Sequence, residues 1–141
     1  MNVRVDHLNL SVRDLDETVA WYGRVFGFTV AEEGVWDGVR WAILRSGDTM
    51  LCAYHRPEFA FLDNEELGRR KLHGIRHPGF RITDEARWLR TIEREGLTVE
   101  EIVHPHSRSW YVYDPTGYEI EVVAWKNDRV AFESAEKEEV R

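Results

Sequence analysis

The chain restarts itself. His7, Asp14 and Gly47 return seventy residues later as His77, Asp84 and Gly117. Each pair falls at the same structural place: an alternating first strand, the residue that opens a helix, and a turn between strands. The glycines that end the two helices, Gly27 and Gly96, are sixty-nine apart, so one residue is lost in the second helix and regained later. A repeat of this kind restricts the chain to two copies of one supersecondary unit. Each copy reads βαβββ, which makes the fold class α+β.

The elements follow from local patterning. Val3 to Val12 alternates as a strand, with Val5, His7, Asn9 and Ser11 on one face. Asp14 with Glu17 three residues on predicts a helix start, and Leu15, Val19, Tyr22 and Phe26 form its apolar stripe. Strands are expected at Phe28 to Glu33, Gly38 to Arg45 and Thr49 to His55, separated by Gly34 and by the Ser46-Gly47-Asp48 turn. In the second copy they are expected at Ile75 to Ile82, Leu97 to Val103, Ser109 to Tyr113 and Tyr118 to Trp125. Its helix opens at Asp84 and turns Ala86, Leu89 and Ile92 inward. The first module therefore spans about 3–55 and the second about 74–126, within a single domain of residues 1–126. Residues 56–73 join them as an irregular linker with a helical turn near Asn64 to Arg69, and 127–141 form a charged tail, a frayed helix or disordered.

Composition removes several function classes. The net charge of −7 leaves no basic excess for nucleic acid. No apolar run approaches the roughly 20 residues of a bilayer span, and the N-terminus lacks the apolar core of a secretion signal. Cys52 is the only cysteine, which agrees with a reducing, cytoplasmic setting.

Glu121 is the residue that asks for an explanation. It lies inside a strand-like run beside Val123 and Trp125, where an unpaired carboxylate is costly. Taken alone it pairs with Arg81 or Arg108, or stands exposed on an edge. Taken with the repeat, it joins two histidines in equivalent slots: two modules related by a pseudo-twofold axis bring His7 and His77 to one seam. Two imidazoles and one carboxylate make a facial triad for a divalent cation, and iron(II), manganese(II), nickel(II) and zinc all suit it. Leu51, seventy residues before Glu121, is the expected counterpart in the first copy and cannot ligate. Tyr111, ten residues before Glu121 across the turn, is the candidate catalytic residue, to orient substrate or donate a proton. Asn9, on the face of His7, is the candidate substrate contact.

The stretches VDHLNLSV, DLDETVAWYGRVFGF, HPGFRITD and WYVYDPTGYEIEVV resemble the vicinal oxygen chelate superfamily over about residues 3–125. That superfamily holds glyoxalase I, extradiol dioxygenases, fosfomycin-modifying enzymes and bleomycin-binding proteins. The resemblance implies a half-open, mostly antiparallel barrel-like sheet around a central cavity, with one metal ion on His7, His77 and Glu121. It also implies that a homodimer is common, with the site formed either within one chain or, where modules pair between chains, by His7 of one chain with His77 and Glu121 of the other.

Departures from the family patterns discriminate among its members. Leu51 replaces a glyoxalase carboxylate. Asn9 and Glu101 replace a threonine and a phosphonate-binding lysine of the fosfomycin enzymes. Ile102 replaces a histidine of the extradiol dioxygenases, leaving His104 or His106 to substitute. The expected function is a metal-dependent enzyme acting on a small substrate chelated through vicinal oxygens, of extradiol dioxygenase or lyase/isomerase type. The alternative is a metal-free protein that sequesters a cationic or aromatic drug.

Overall fold

Asp14 and Gly27 bracket the first helix as the repeat predicts. A computed structural model describes residues 1–132. In it the Asp14 carboxylate accepts from the Glu17 N–H at 2.9 Å, and Gly27 closes the helix α1 (Leu15–Phe26) at φ 73°. Asp84 and Gly96 (φ 61°) do the same for a second long helix, Glu85–Glu95. Both glycines occupy the left-handed region that a helix C-terminus favours. The chain divides into two units, Met1–Asp63 with Asp114–Gly117, and Asn64–Tyr113 with Tyr118–Arg141.

The first unit runs β1 (His7–Val12), α1, β2 (Thr29–Trp36), β3 (Val39–Ser46) and β4 (Thr49–His55). Its sheet has the order β1-β4-β3-β2, with β1 parallel to β4 and the other pairs antiparallel. Leu15, Trp21, Tyr22, Val25 and Phe28 pack with Ala42, Leu44, Leu51 and Ala53 as buried core residues. The buried face of α1 is rotated from the expected stripe, because Thr18 and Trp21 take places given to Val19 and Phe26. Thr18 tolerates burial because its hydroxyl donates to the Asp14 carbonyl at 2.6 Å. Gly34 does not separate strands. It pairs with Trp41 inside the hairpin, where a Cβ would stand 3.0 Å from the indole. The turn is Asp37-Gly38, both at positive φ, the dipeptide that two-residue hairpins prefer.

The second unit contains α2 (Asn64–Arg69), β5 (Gly79–Ile82), α3 (Glu85–Glu95), β6 (Glu100–Val103), β7 (Ser107–Tyr113) and β8 (Glu119–Trp125). A short 3-10 turn, Lys126–Asp128, follows, and residues 133–141 of the expected tail lie outside the described residues. Sheet order is β5-β8-β7-β6, again with one parallel pair, β5 with β8. The second copy thus repeats the topology of the first. Trp88 and Thr91 form the buried face of α3, while Leu89 is exposed and Ala86 faces solvent, which corrects the expected inward set. Trp88 meets Trp110 of β7 edge-on at 6.5 Å, and this aromatic pair outweighs the smaller side chains in setting the helix rotation. Among the described residues, no helix is long and apolar enough to cross a membrane.

The Asp114-Pro115-Thr116-Gly117 turn is counted with the first unit although it links two strands of the second. Asp114 is buried. One of its oxygens accepts the N–H groups of Thr116 and Gly117, each at 2.9 Å, and the other accepts the Tyr22 hydroxyl at 2.9 Å. The Arg13 N–H donates to the Thr116 hydroxyl. Asp114→Ala is expected to cost about 2–4 kcal/mol, because buried donors lose a charged acceptor. Loss of the exposed cap in Asp14→Ala is expected to cost about 1 kcal/mol. Urea midpoints at unchanged m-value measure both, and an Asp114→Ala loss no larger than that of Asp14→Ala contradicts this anchoring.

Candidate metal centre

Glu121 takes its position from two strand neighbours. Its N–H donates to the Pro78 carbonyl at 3.0 Å, and it pairs with Gly79 of β5 and with Tyr111 of β7. Burial alternates along β8: Ile120 and Val122 are buried, while Glu119, Glu121 and Val123 share the other, half-buried face. Tyr111 pairs in turn with Glu100 of β6, so Glu100, Tyr111, Glu121 and Gly79 form one row across the sheet.

His77 precedes Pro78, just outside the strand expected to contain it. Its Nε2 lies 3.1 Å from Glu121 Oε2, and its Nδ1 lies 2.9 Å from Glu119 Oε1. The Ser109 hydroxyl donates to Glu121 Oε1 at 2.7 Å, and the Tyr113 hydroxyl donates to Glu119 Oε2 at 2.9 Å. The Tyr111 ring meets the His77 imidazole edge-on at 5.4 Å. The side chains of His77 and Glu121 remain 28% and 23% exposed, enough for a small ligand to reach them.

His7 and Asn9 belong to the first unit, and His77, Tyr111 and Glu121 to the second. His7 and Asn9 share an exposed face of β1, and His7 Nδ1 lies 2.7 Å from Asp6 Oδ2. In both histidines, therefore, Nδ1 meets a carboxylate. Metal-bound imidazoles typically have such a partner on the nitrogen away from the ion.

The His77–Glu121 pair fits a divalent cation by its own geometry. Imidazole nitrogen and carboxylate oxygen are donors that first-row divalent ions accept. Two donors at about 2.1 Å from an ion and at right angles to each other stand about 3 Å apart. Among the described residues, no group of three or more His, Cys, Asp or Glu is gathered in a position to hold an ion. The structure thus brings together His77 and Glu121, two of the three residues expected as ligands.

Several sequence expectations change here. Neither Arg81 nor Arg108 partners Glu121: Arg81 donates to the Asp128 carbonyl, and Arg108 pairs with Glu85 and Glu101. The counterpart of Glu121 is Cys52, not Leu51. Asn9 pairs with Cys52, and Gly79, seventy residues after Asn9, pairs with Glu121. Leu51 is core, on the buried side that Ile120 takes in the second unit. The acid on the site face of β6 is Glu100, because Glu101 pairs with the buried Trp110 and bridges to Arg108 on the other side. Burial, and next the charge of Asp6, raises the Cys52 thiol and keeps it protonated. His104 and His106 lie in the turn between β6 and β7, outside the Tyr111 row. Sequence reasoning missed Ser109, Tyr113 and Glu119, although their period-2 spacing from Tyr111 and Glu121 put them on the same face.

Burial pushes the Tyr111 phenol above its ordinary range. The charge of Glu121, a hydrogen bond to it, and then the charges of Glu119 and Glu100 push the same way. The folded phenol keeps its proton while an unfolded one ionises near pH 10, so folding stability falls as pH rises past that value. In an ultraviolet titration of the metal-free protein, Tyr111 is expected to ionise above the ordinary phenol range. Glu121→Gln is expected to bring it down by removing the adjacent charge. A Tyr111 phenol that titrates normally in both proteins contradicts these electrostatics.

Comparison with known proteins gives the family. The model described as "Glyoxalase/Bleomycin resistance protein/Dioxygenase superfamily" matches residues 4–122. No curated protein sequence matches the chain. Among solved structures, a glyoxylase/bleomycin resistance protein/dioxygenase domain from Frankia sp. EAN1pec superposes with a TM-score of 0.76. It has 16% identity and covers 92% of this chain and 96% of its own. A mutant of the fosfomycin resistance protein FosX from Listeria monocytogenes, complexed with Mn(II) and 1S,2S-dihydroxypropylphosphonic acid, superposes at 0.69 with 18% identity, covering 89% and 94%. A lactoylglutathione lyase from Agrobacterium tumefaciens superposes at 0.63 with 26% identity, covering 87% and 94%.

Proposed function

Because the chain belongs to the glyoxalase/bleomycin resistance protein/dioxygenase superfamily, we propose that it is a divalent-metal-dependent enzyme of lyase or isomerase type. Its small substrate is chelated through two vicinal oxygens. The observation that carries this reading is the convergence of His77 Nε2 and Glu121 Oε2 at 3.1 Å. His7 is assigned as the third ligand on its place in the repeat. The Mn(II) complex of the Listeria protein and the lyase name of the Agrobacterium protein support the same chemistry. A homodimeric, cytoplasmic protein is part of the reading.

The ion, when bound, supplies Lewis-acid stabilisation of negative charge developing on a substrate oxygen. The residues of this chain do the rest. Tyr111 holds its proton at the phenol oxygen beside Glu121 and donates it to, or hydrogen-bonds, the charge-bearing oxygen. Asn9 hydrogen-bonds the substrate from the face of His7. Ser109 fixes the carboxylate plane of Glu121. Glu100 and Glu119 make the face acidic, which favours a neutral or cationic substrate over a phosphonate. On β6, Glu100 and Ile102 lie beside Tyr111 and Ser109, with no imidazole on that strand, which favours proton transfer over ring cleavage with oxygen.

Metal analysis with calorimetric titration tests the reading. One divalent ion per chain is expected, lost in His77→Ala and in Glu121→Ala. With a substrate of this class, Tyr111→Phe is expected to lower kcat about 100- to 10,000-fold. No binding of iron(II), manganese(II), nickel(II) or zinc after reconstitution overturns the enzyme and leaves a drug-sequestering protein. Iron-dependent oxygen consumption on a catechol moves the reaction to the dioxygenase class.

A further inference from the structure

The His77 ring is not held by the backbone. It lies before β5, outside the backbone ladder that fixes Glu121, and an imidazole on such a segment has rotamer freedom to lose before it can ligate. What fixes it is a chain of hydrogen bonds on one sheet face. The Tyr113 hydroxyl donates to Glu119 Oε2 at 2.9 Å, and Glu119 Oε1 lies 2.9 Å from His77 Nδ1. Both oxygens of Glu119 are thus used, and its side chain is the least exposed of the three, at 17% against 28% for His77 and 23% for Glu121. Glu119 and Glu121 are two residues apart on one strand, so the backbone sets the spacing of their carboxylates.

We infer that Glu119, held by Tyr113, is the positioning residue of His77: it accepts a hydrogen bond from Nδ1–H and so holds the ring with Nε2 on the side of Glu121. Neutral imidazole has one donor and one acceptor nitrogen, so an acceptor at Nδ1 decides which nitrogen is left to ligate. Ser109 plays the matching part for Glu121, leaving Oε2 as the oxygen that faces His77. Glu100 serves as a control, because it is an acid on the same face and in the row of Tyr111, with no hydrogen bond to His77.

Two readouts test this, and only the second rests on the metal-centre reading. The first is the hydrogen-bonded ring N–H of His77 in metal-free protein, observed by proton–nitrogen NMR with histidine labelled at the ring nitrogens. A protected Nδ1–H resonance is expected in wild type, in Glu119→Gln and in Glu100→Gln, and its loss is expected in Glu119→Leu. The second is Mn(II) affinity by calorimetry. Glu119→Leu is expected to weaken it about 10- to 100-fold. Glu119→Gln, which keeps an acceptor, should fall between Glu119→Leu and wild type, and Glu100→Gln should stay within about threefold of wild type. Tyr113→Phe, at an exposed position that tolerates the change, is expected to give a smaller loss in the same direction. An Nδ1–H resonance that survives Glu119→Leu overturns the inference. Equal weakening by Glu119→Leu, Glu119→Gln and Glu100→Gln also overturns it, because charge alone then explains the loss. Absence of Mn(II) binding in wild type with the NMR pattern intact overturns the metal centre and leaves the positioning role standing.

Discussion

The hydrogen bond from the Glu121 N–H to the Pro78 carbonyl is the constraint on which the candidate site depends. It ties Pro78, the residue before β5, to the centre of β8 beside the single parallel pairing of the sheet, and His77 is one residue from Pro78. A slip of one residue in that pairing would turn Glu121 to the buried side and offer Ile120 to His77. The apolar side of β8 guards against the slip, because Ile120 and Val122 are fully buried. The core of the second unit thus specifies which acid reaches the imidazole, and the candidate site and the packing rest on one register.

The same principle explains what the sequence made legible. Helix starts at Asp14 and Asp84 and stops at Gly27 and Gly96 were readable because caps are local chemistry, satisfied within three or four residues. The topology was readable from the restart. The rotation of each helix was not, because it depends on which bulky partner waits across the interface: Trp21 and Trp88 are buried where simple apolar spacing favoured Val19 and Leu89. The end of β2 was misplaced because Gly34 looked like a break. The cross-strand Trp41, invisible to a local reading, fills the space above it.

The candidate site was legible in its outline. His77 and Glu121 come together, and Tyr111 is the direct cross-strand partner of Glu121. The partner residues were not found, because a ligand was sought by its place in the repeat and its neighbours were not. Glu119 has no acidic counterpart in the first copy, so symmetry reasoning passes over it. Leu51 was matched to Glu121 by counting residues, whereas strand pairing matches Cys52. Counting fails there because the offset is seventy between Asn9 and Gly79 but sixty-nine between Cys52 and Glu121; the two hairpins differ as well, Ser46 pairing with Thr49 around a two-residue turn and Tyr113 with Glu119 around a five-residue loop.

That difference in hairpin length bears on how the two copies have been free to diverge. A two-residue turn couples its strands rigidly, so an insertion or deletion in the first copy must shift one strand against the other or break the turn. The longer loop carrying Asp114 is held by the hydrogen bonds of Asp114 instead of by a tight turn, and β8 takes its register from β5. Side chains there that make none of those bonds can change while Glu119 and Glu121 stay where they are. The second copy could therefore accumulate new side chains around its hairpin without unfolding its sheet, and it is the copy that holds Glu119 and Glu121.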